Sequence, residues 1–310
     1  MLKKIALATI LLLMLSLSAL NLGAPDILFK GVQDLTRAAA GLEHKQVKVG
    51  AFTYHYLDNE NTDKPVILMV HGFTANKDNW ARMAVFLKDD AHVIALDLLG
   101  HGDSPREMQA DYKISSQTKR VKAFADALGL KQFHIAGSSM GGYIAGMYTA
   151  MYPEQILTTH LFDNAGVFMP HKSDMLVALE NNEPHPLIIR STDDVDRFFG
   201  YVFAQPPFMT HSIKQYYAEQ SAVHAPLYEK IFSNFHGDAY YPEPLEPFLR
   251  QIKTPVQVIW GGADRVLHSS SIDTIKHVLP SVSVEVMPGI GHLPMLEKPK
   301  ASALLLKNFL

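Results

Sequence analysis

Apolar and polar positions follow two different rhythms along the chain. Alternating apolar and polar residues in Gln46–Val49 and Phe52–Leu57 predict a short β-hairpin that turns near Gly50. Later apolar runs are continuous, which is typical of strands buried on both faces of a sheet. These runs lie at Val66–Val70, Val93–Leu98, Phe133–Ala136, Thr159–Phe162, Val256–Trp260 and Val282–Val286.

Helical patterns separate most of these predicted strands. Apolar residues recur at helical spacing in Ser115–Leu128, Gly141–Met151 and Ile272–Leu279, and an amphipathic stretch around Ile27–Leu42 precedes the hairpin. Strand alternating with helix predicts an α/β fold with a mainly parallel, doubly wound sheet.

The alternation stops between about Gly166 and Arg250, in a stretch rich in Phe, Tyr and Met. We interpret residues 166–250 as a helical cap inserted between two sheet strands, within one α/β domain that covers residues 25–310. Prolines interrupt the stretch at Pro184, Pro186, Pro206, Pro207 and Pro226.

The first residues carry a separate signal. Lys3 and Lys4 precede an apolar run from Ile5 to Leu22, a pattern that indicates an export or membrane segment rather than a core helix. The run shows no clear cleavage site, and its length is near the lower limit of about 17 residues that span a bilayer. We therefore expect residues 1–24 to be an uncleaved signal anchor in the cell envelope, with cleavage as the alternative.

Composition excludes several classes of function. The 310 residues carry a formal net charge of -3 and no long run of Lys or Arg, so nucleic acid is not an expected partner. The chain has no cysteine, which rules out disulfides, thiolate metal sites and a cysteine nucleophile.

A serine motif follows the strand predicted at Phe133–Ala136. Gly137–Gly141 reads G-x-S-x-G and leads into a predicted helix, and this setting pushes the central serine out of a strained turn. Ser139 is therefore the expected nucleophile, with Ser138 as a weaker candidate. The N-terminus of the helix points at the same spot, so the Met140 N–H is the expected first donor of an oxyanion hole.

A serine nucleophile needs a base that a third group orients. Asp264 and His292 each lie just past the carboxyl end of a late strand, at the edge where open α/β sheets collect their active sites. His292 would take the serine proton, and Asp264 would hold the imidazole tautomer. Asp163 also follows a predicted strand and is the rival acid.

A second glycine loop supplies the other half of the oxyanion hole. The strand Val66–Val70 ends in His71-Gly-Phe73, so the Phe73 N–H is expected to face that of Met140. His71 has no Asp, Glu or His partner at ligand spacing, so we expect a structural loop histidine and no metal site. The glycine-containing segment Asp97–Ser104 is interpreted as loop-shaping rather than phosphate-binding.

Aromatic and methionine side chains are concentrated in the predicted cap. Some should line an apolar acyl pocket or form a lid over the serine, which favours a lipid-like ester as substrate. We name Phe168, Met169, Phe199 and Phe203 as the candidate pocket residues. The wider set adds Phe198, Tyr201, Phe208 and Met209.

With these segments in order, the sequence resembles the α/β-hydrolase superfamily over nearly all of residues 64–310. It is most similar to the family V bacterial lipases and to membrane-anchored monoacylglycerol lipases, through the apolar N-terminus, the Phe after His-Gly, and Asn164-Ala-Gly166. The resemblance implies an α/β-hydrolase fold and hydrolysis of acylglycerols or other medium- to long-chain acyl esters, without a cofactor.

The serine also separates this chain from neighbours of the same fold. Haloalkane dehalogenases and epoxide hydrolases carry an aspartate where Ser139 stands, so the resemblance does not extend to them. A carbon–carbon bond hydrolase and an acyltransferase remain alternatives, as does a non-catalytic binding protein of the envelope.

Overall fold

A computed structural model of the chain describes residues 23–237 and 241–310, and eight strands form one sheet in it. The strand order is β1-β2-β4-β3-β5-β6-β7-β8. The hairpin β1–β2 and the pair β2–β4 are antiparallel, whereas all other neighbours from β3 to β8 are parallel. The strands are β1 Glu43–Val49, β2 Phe52–Asp58, β3 Val66–Val70, β4 His92–Leu96, β5 Phe133–Ser138, β6 Ile156–Phe162, β7 Val256–Gly261 and β8 Ser283–Met287.

Helices connect the strands and cover both faces of the sheet. In chain order they are α1 Pro25–Ala39, α2 Ala81–Ala84, α3 Ile114–Ala127, α4 Met140–Met151, α5 Asp174–Glu180, α6 Thr192–Val202, α7 His211–Ala222, α8 Ala225–Phe235, α9 Glu246–Leu249, α10 Ser271–Val278, α11 Pro294–Glu297 and α12 Pro299–Lys307.

The strand pattern in the sequence is confirmed by how β3 is buried. Leu68 and Val70 join the core on one face of the sheet, while Ile67 and Met69 join the core on the other. When both faces of a strand are buried, neither face favours polar side chains, and this explains the continuous apolar run. The hairpin turns at Gly50, whose φ of 58° falls in the region that favours glycine.

Five helices, α5 to α9, lie between β6 and β7 and correspond to the stretch where the sequence loses its strand–helix alternation. Within it, α6 packs against α7, and α9 packs against α4 beneath. Helix α1 packs against both α7 and α2, so it joins this layer to the body of the sheet.

The predicted signal anchor at residues 1–24 falls almost wholly outside the described residues. Among residues 23–237 and 241–310, none of the helices has the length and apolar character needed to cross a bilayer.

Strand register brings several loops to one edge of the sheet. Val70 pairs with Gly137, and Ser138 pairs with Phe162, so the segments that follow β3, β5 and β6 are neighbours. Further along the sheet, Gly261 at the carboxyl end of β7 pairs with Met287 at the carboxyl end of β8. The loops that carry the predicted site residues therefore share the carboxyl edge of the parallel strands.

Candidate active site

Ser139 occupies a strained turn between β5 and α4. Its φ of 56° and ψ of -120° lie outside the regions that side chains favour, as a nucleophile elbow requires. The two glycines that flank the serine allow β5 and α4 to approach each other closely. A Cβ on Gly137 would lie 2.1 Å from the Gly141 carbonyl oxygen, and one on Gly141 would lie 2.2 Å from the Val70 oxygen.

His292 and Asp264 meet next to this turn. The Nδ1 of His292 lies 2.8 Å from Oδ2 of Asp264, while Oδ1 of Asp264 accepts the backbone N–H groups of Val266 and Leu267. Both side chains are buried, and His292 lines the same cavity as Ser139. In the described structure Ser139 and His292 are not hydrogen-bonded, a contact that commonly tightens when substrate binds.

The loop after β3 passes directly beside the serine. A Cβ built on Gly72 would lie 3.0 Å from the Cβ of Ser139 and 3.6 Å from its Oγ, so a larger residue here would crowd the serine. Phe73 and Ser139 line one cavity. Met140 begins α4, and N–H groups in the first turn of a helix have no acceptor within that helix. The two residues predicted to donate to the oxyanion, Phe73 and Met140, therefore both lie next to Ser139.

The rival acid Asp163 is buried in the same place. Its Oδ1 accepts the Gly261 N–H at 2.8 Å, and its fully buried Oδ2 has no hydrogen-bond donor among the described residues. Asp163, Asp264 and His292 each place one oxygen or nitrogen within 4.8 Å of the others. Burial, followed by the charge of Asp264, holds the pKa of Asp163 well above its usual range.

A family model described as the alpha/beta hydrolase fold matches residues 65–299. The chain belongs to the alpha/beta hydrolase fold family.

Among curated relatives in this family, Lipase 1 of Psychrobacter immobilis is 35% identical over 245 residues, which cover 78% of this chain and 75% of that protein. Monoacylglycerol lipase abhd6-B of Xenopus laevis is 32% identical over 286 residues, covering 88% of this chain and 84% of its own. These similarities establish an ester hydrolase of the serine carboxylesterase and lipase type.

A solved structure described as a membrane phospholipase A, a bacterial virulence factor, superposes with a TM-score of 0.88 and 38% identity, covering 99% of this chain and 97% of that one. A putative lipase from Acinetobacter baumannii AYE superposes with a TM-score of 0.83 and 27% identity, covering 91% and 95%. Both agree with the fold that the sequence predicts.

The predicted pocket residues divide into two pairs. Phe199 and Phe203 stack at 5.6 Å between ring centroids and line the cavity that holds Ser139 and His292. Phe168 and Met169 do not line it: Phe168 is 53% exposed, and the Met169 sulfur accepts the His268 N–H. The structure therefore places these two residues away from the cavity of Ser139, because aromatic content marks the layer over the sheet without showing which way each side chain points.

Loop residues near the site have structural partners. His71 is fully buried, with Nδ1 2.7 Å from the Gly72 oxygen and Nε2 accepting the Leu98 N–H. Since Nε2 accepts a hydrogen bond, the ring is neutral, and burial lowers its pKa. In the predicted loop-shaping segment, Asp97 binds the buried ammonium of Lys77 at 2.6 Å and thereby fixes this loop to the one after β3.

One cluster outside the site has metal-ligand atom types. His44, His55 and Asp103 bring one nitrogen or oxygen each within 4.8 Å. Their partners are already present, since Nδ1 of His55 lies 3.2 Å from Nε2 of His44 and Asp103 pairs with Lys77 at 2.6 Å. The cluster is thus a surface hydrogen-bond network.

Glu297 is a site neighbour that the sequence did not reveal. Its carboxylate accepts the N–H of Gly291 at 2.7 Å and that of Ala204 at 3.1 Å. The N–H of His292 also donates to the Val202 oxygen at the end of α6. These bonds tie the histidine loop to the helical layer above, and no motif marks a glutamate for that task.

Proposed function

We propose that the chain hydrolyses acyl esters of lipids with Ser139 as nucleophile, His292 as base and Asp264 as the acid that orients it. The observation that carries the proposal is a serine on a strained turn sharing one cavity with a histidine whose Nδ1 is held 2.8 Å from a buried carboxylate.

The chemistry follows from this arrangement. Ser139 Oγ attacks the ester carbonyl carbon while Nε2 of His292 takes its proton, and the backbone N–H groups of Phe73 and Met140 stabilise the tetrahedral oxyanion. The C–O bond to the alcohol then breaks, and the alcohol leaves with the proton from His292. Water, deprotonated by the same histidine, hydrolyses the acyl-enzyme. Each step uses side chains and backbone alone, so no cofactor is required.

A long apolar groove supports an acyl-chain substrate. It has a volume of about 830 Å³ and runs between α1, α7 and the loop before α11. Phe199, Phe203 and Leu296 line both this groove and the cavity of Ser139. An acyl group bound at the serine can therefore extend into an apolar channel, which a short or charged acid would leave unfilled.

We further propose that residues 1–24 anchor the protein in a membrane and that the five helices over the site act as a cap. Exposed apolar side chains on α1 support the anchor, since Ile27, Val32 and Leu35 are 55%, 59% and 73% exposed directly after the apolar N-terminal run. If the full chain stayed soluble after cell lysis, or if deletion of residues 2–24 left its distribution unchanged, the anchor proposal would fail.

The reaction is tested by labelling the purified protein with a fluorophosphonate probe, followed by peptide mass spectrometry. We expect the label on Ser139, and its absence there would contradict the assignment. Hydrolysis of p-nitrophenyl esters of increasing chain length tests the substrate, with a maximum expected at medium or long chains. A vinylogous diketone serves as the comparison, because preferential cleavage of it would favour a carbon–carbon bond hydrolase.

A further inference from the structure

A second cavity, with a more polar lining, adjoins the apolar groove along α1, where Phe29 and Gln33 line both. It has a volume of about 280 Å³ and is enclosed by α1, α7 and the loops that follow β3 and β4. Its polar side chains include Thr74, Arg106, Gln220 and Tyr228, and the wall also holds the ammonium of Lys77 and the carboxylates of Asp78 and Asp103.

This polar cavity adjoins the reacting serine. Thr74, Leu187 and Tyr217 are among the residues that line both it and the cavity of Ser139 and His292. Thr74 directly follows Phe73, the proposed oxyanion donor, and has a φ of 58°. A substrate whose ester carbonyl sits at Ser139 can thus place an adjacent polar group in this space.

Two polar atoms in the wall lack protein partners. The hydroxyl oxygen of Thr74 and the Nε of Arg106 are buried, and neither forms a hydrogen bond with a described residue. Buried donors without acceptors cost free energy unless a ligand or water supplies one. Both atoms therefore favour a ligand that carries acceptor oxygens.

Charge in the wall points to an anionic ligand. The two carboxylates of the wall already have cationic partners, since Asp78 pairs with Arg37 at 2.6 Å and Asp103 pairs with Lys77 at 2.6 Å. Arg106 forms no ion pair with a carboxylate of the described chain. Its guanidinium lies beside the hydroxyl of Tyr228. A guanidinium whose Nε–H lacks an acceptor and which has no carboxylate partner is suited to phosphate oxygens, which it binds with directional hydrogen bonds.

We propose that Arg106 and Thr74 form a subsite for the phosphate of a glycerophospholipid ester, so that the acyl chain occupies the apolar groove and the glycerol phosphate occupies the polar cavity. This inference rests on the proposed ester hydrolysis and specifies the substrate class of the same site. A neutral acylglycerol would reach the serine equally well but would leave the charge of Arg106 without a counter-ion.

The experiment compares two substrates that differ only in the phosphate, 1-dodecanoylglycerol and 1-dodecanoylglycerol 3-phosphate, with the full-length protein in detergent. Arg106→Gln should lower kcat/KM for the phosphorylated ester by about tenfold or more and change that for the neutral ester by less than about twofold. Arg106→Lys should retain part of the preference. Arg250→Gln, which removes an exposed arginine far from this cavity, is the matched control.

An equal effect of Arg106→Gln on both esters, or no effect on either, would overturn the subsite. Hydrolysis of neither ester by the wild-type protein would instead refute the proposed function. Calorimetry distinguishes a failure of the subsite from a failure of the proposed function, because it measures binding without turnover. The Ser139→Ala protein should bind glycerol 3-phosphate more tightly than it binds glycerol. That binding should weaken when Arg106→Gln is added, and unchanged binding would contradict the role of Arg106.

Discussion

An oxygen of Asp163 lies within 4.8 Å of an oxygen of Asp264, with both carboxyl groups buried beneath His292. The carboxylate of Asp264 accepts hydrogen bonds from two backbone N–H groups and lies 2.8 Å from Nδ1 of His292. Asp163 accepts one N–H and keeps an unpartnered oxygen. Burial, followed by the charge of Asp264, raises the pKa of Asp163, and Asp163 also has fewer donors, so it is the carboxyl group of the two that favours its protonated form.

Asp163→Asn should therefore retain most activity and become more stable relative to the wild-type protein as pH rises. The folded-state pKa of Asp163 is raised, so its contribution to stability is complete below about pH 4, the ordinary carboxyl value, and is lost as pH climbs towards the raised value. The asparagine has no such loss. Thermal melting of both proteins from pH 5 to pH 9 tests this, and a variant that becomes relatively less stable with rising pH would refute it.

Ser139→Ala should abolish ester turnover without unfolding the protein. The hydroxyl makes no hydrogen bond with a described residue, so its loss should change the free energy of unfolding by less than about 1 kcal/mol. Circular dichroism and thermal melting check the fold, and an ester assay checks turnover. An unfolded variant, or one with wild-type turnover, would contradict the placement of Ser139 in the site.

Asp264→Asn should lower kcat by about 10⁴-fold, because an amide in this position favours the wrong tautomer of His292. Asp273→Asn, on the exposed surface of α10, is the matched control and should leave kcat unchanged. A fall of less than about tenfold for Asp264→Asn would indicate that Asp163 takes over the orienting role.

Glu297→Gln should loosen the histidine loop. An amide presents one acceptor oxygen, so either the Gly291 or the Ala204 N–H loses its partner, at a cost of about 1–3 kcal/mol. We expect a lower melting temperature and a lower kcat. Glu285→Gln replaces an exposed glutamate on β8 and serves as control. Equal behaviour of the two variants would remove Glu297 from this positioning role.

Acid should destabilise the protein through His160. Burial lowers the pKa of His160 to about 4, and its ring nitrogens contact Thr158 and Gln257. A lowered folded-state pKa gives stability that is present above about pH 6.5 and lost as pH falls towards 4, up to roughly 3 kcal/mol. His160→Gln should flatten that pH dependence in urea unfolding, while exposed His277→Gln should not.

The local pattern of apolar residues located the strands of the sheet but did not fix where each strand ends. The apolar run predicted at Val66–Val70 coincides with β3, because a strand covered on both faces needs an unbroken apolar sequence. The run predicted at Val93–Leu98 differs from β4 at His92–Leu96, since an apolar run does not mark where pairing with β3 and β2 stops. Leu98 instead donates its N–H to His71.

By itself, then, the sequence determined the strand order along the chain, the serine turn and the identity of the acid and base candidates, because each rests on neighbours close in sequence. Only the tertiary structure decided that Asp163 lies beside Asp264, that Phe199 faces the site while Phe168 faces solvent, and that Arg106 has no carboxylate partner among the described residues. These relations depend on distances between segments far apart in the chain, which strand register and helix packing set and which no local pattern encodes.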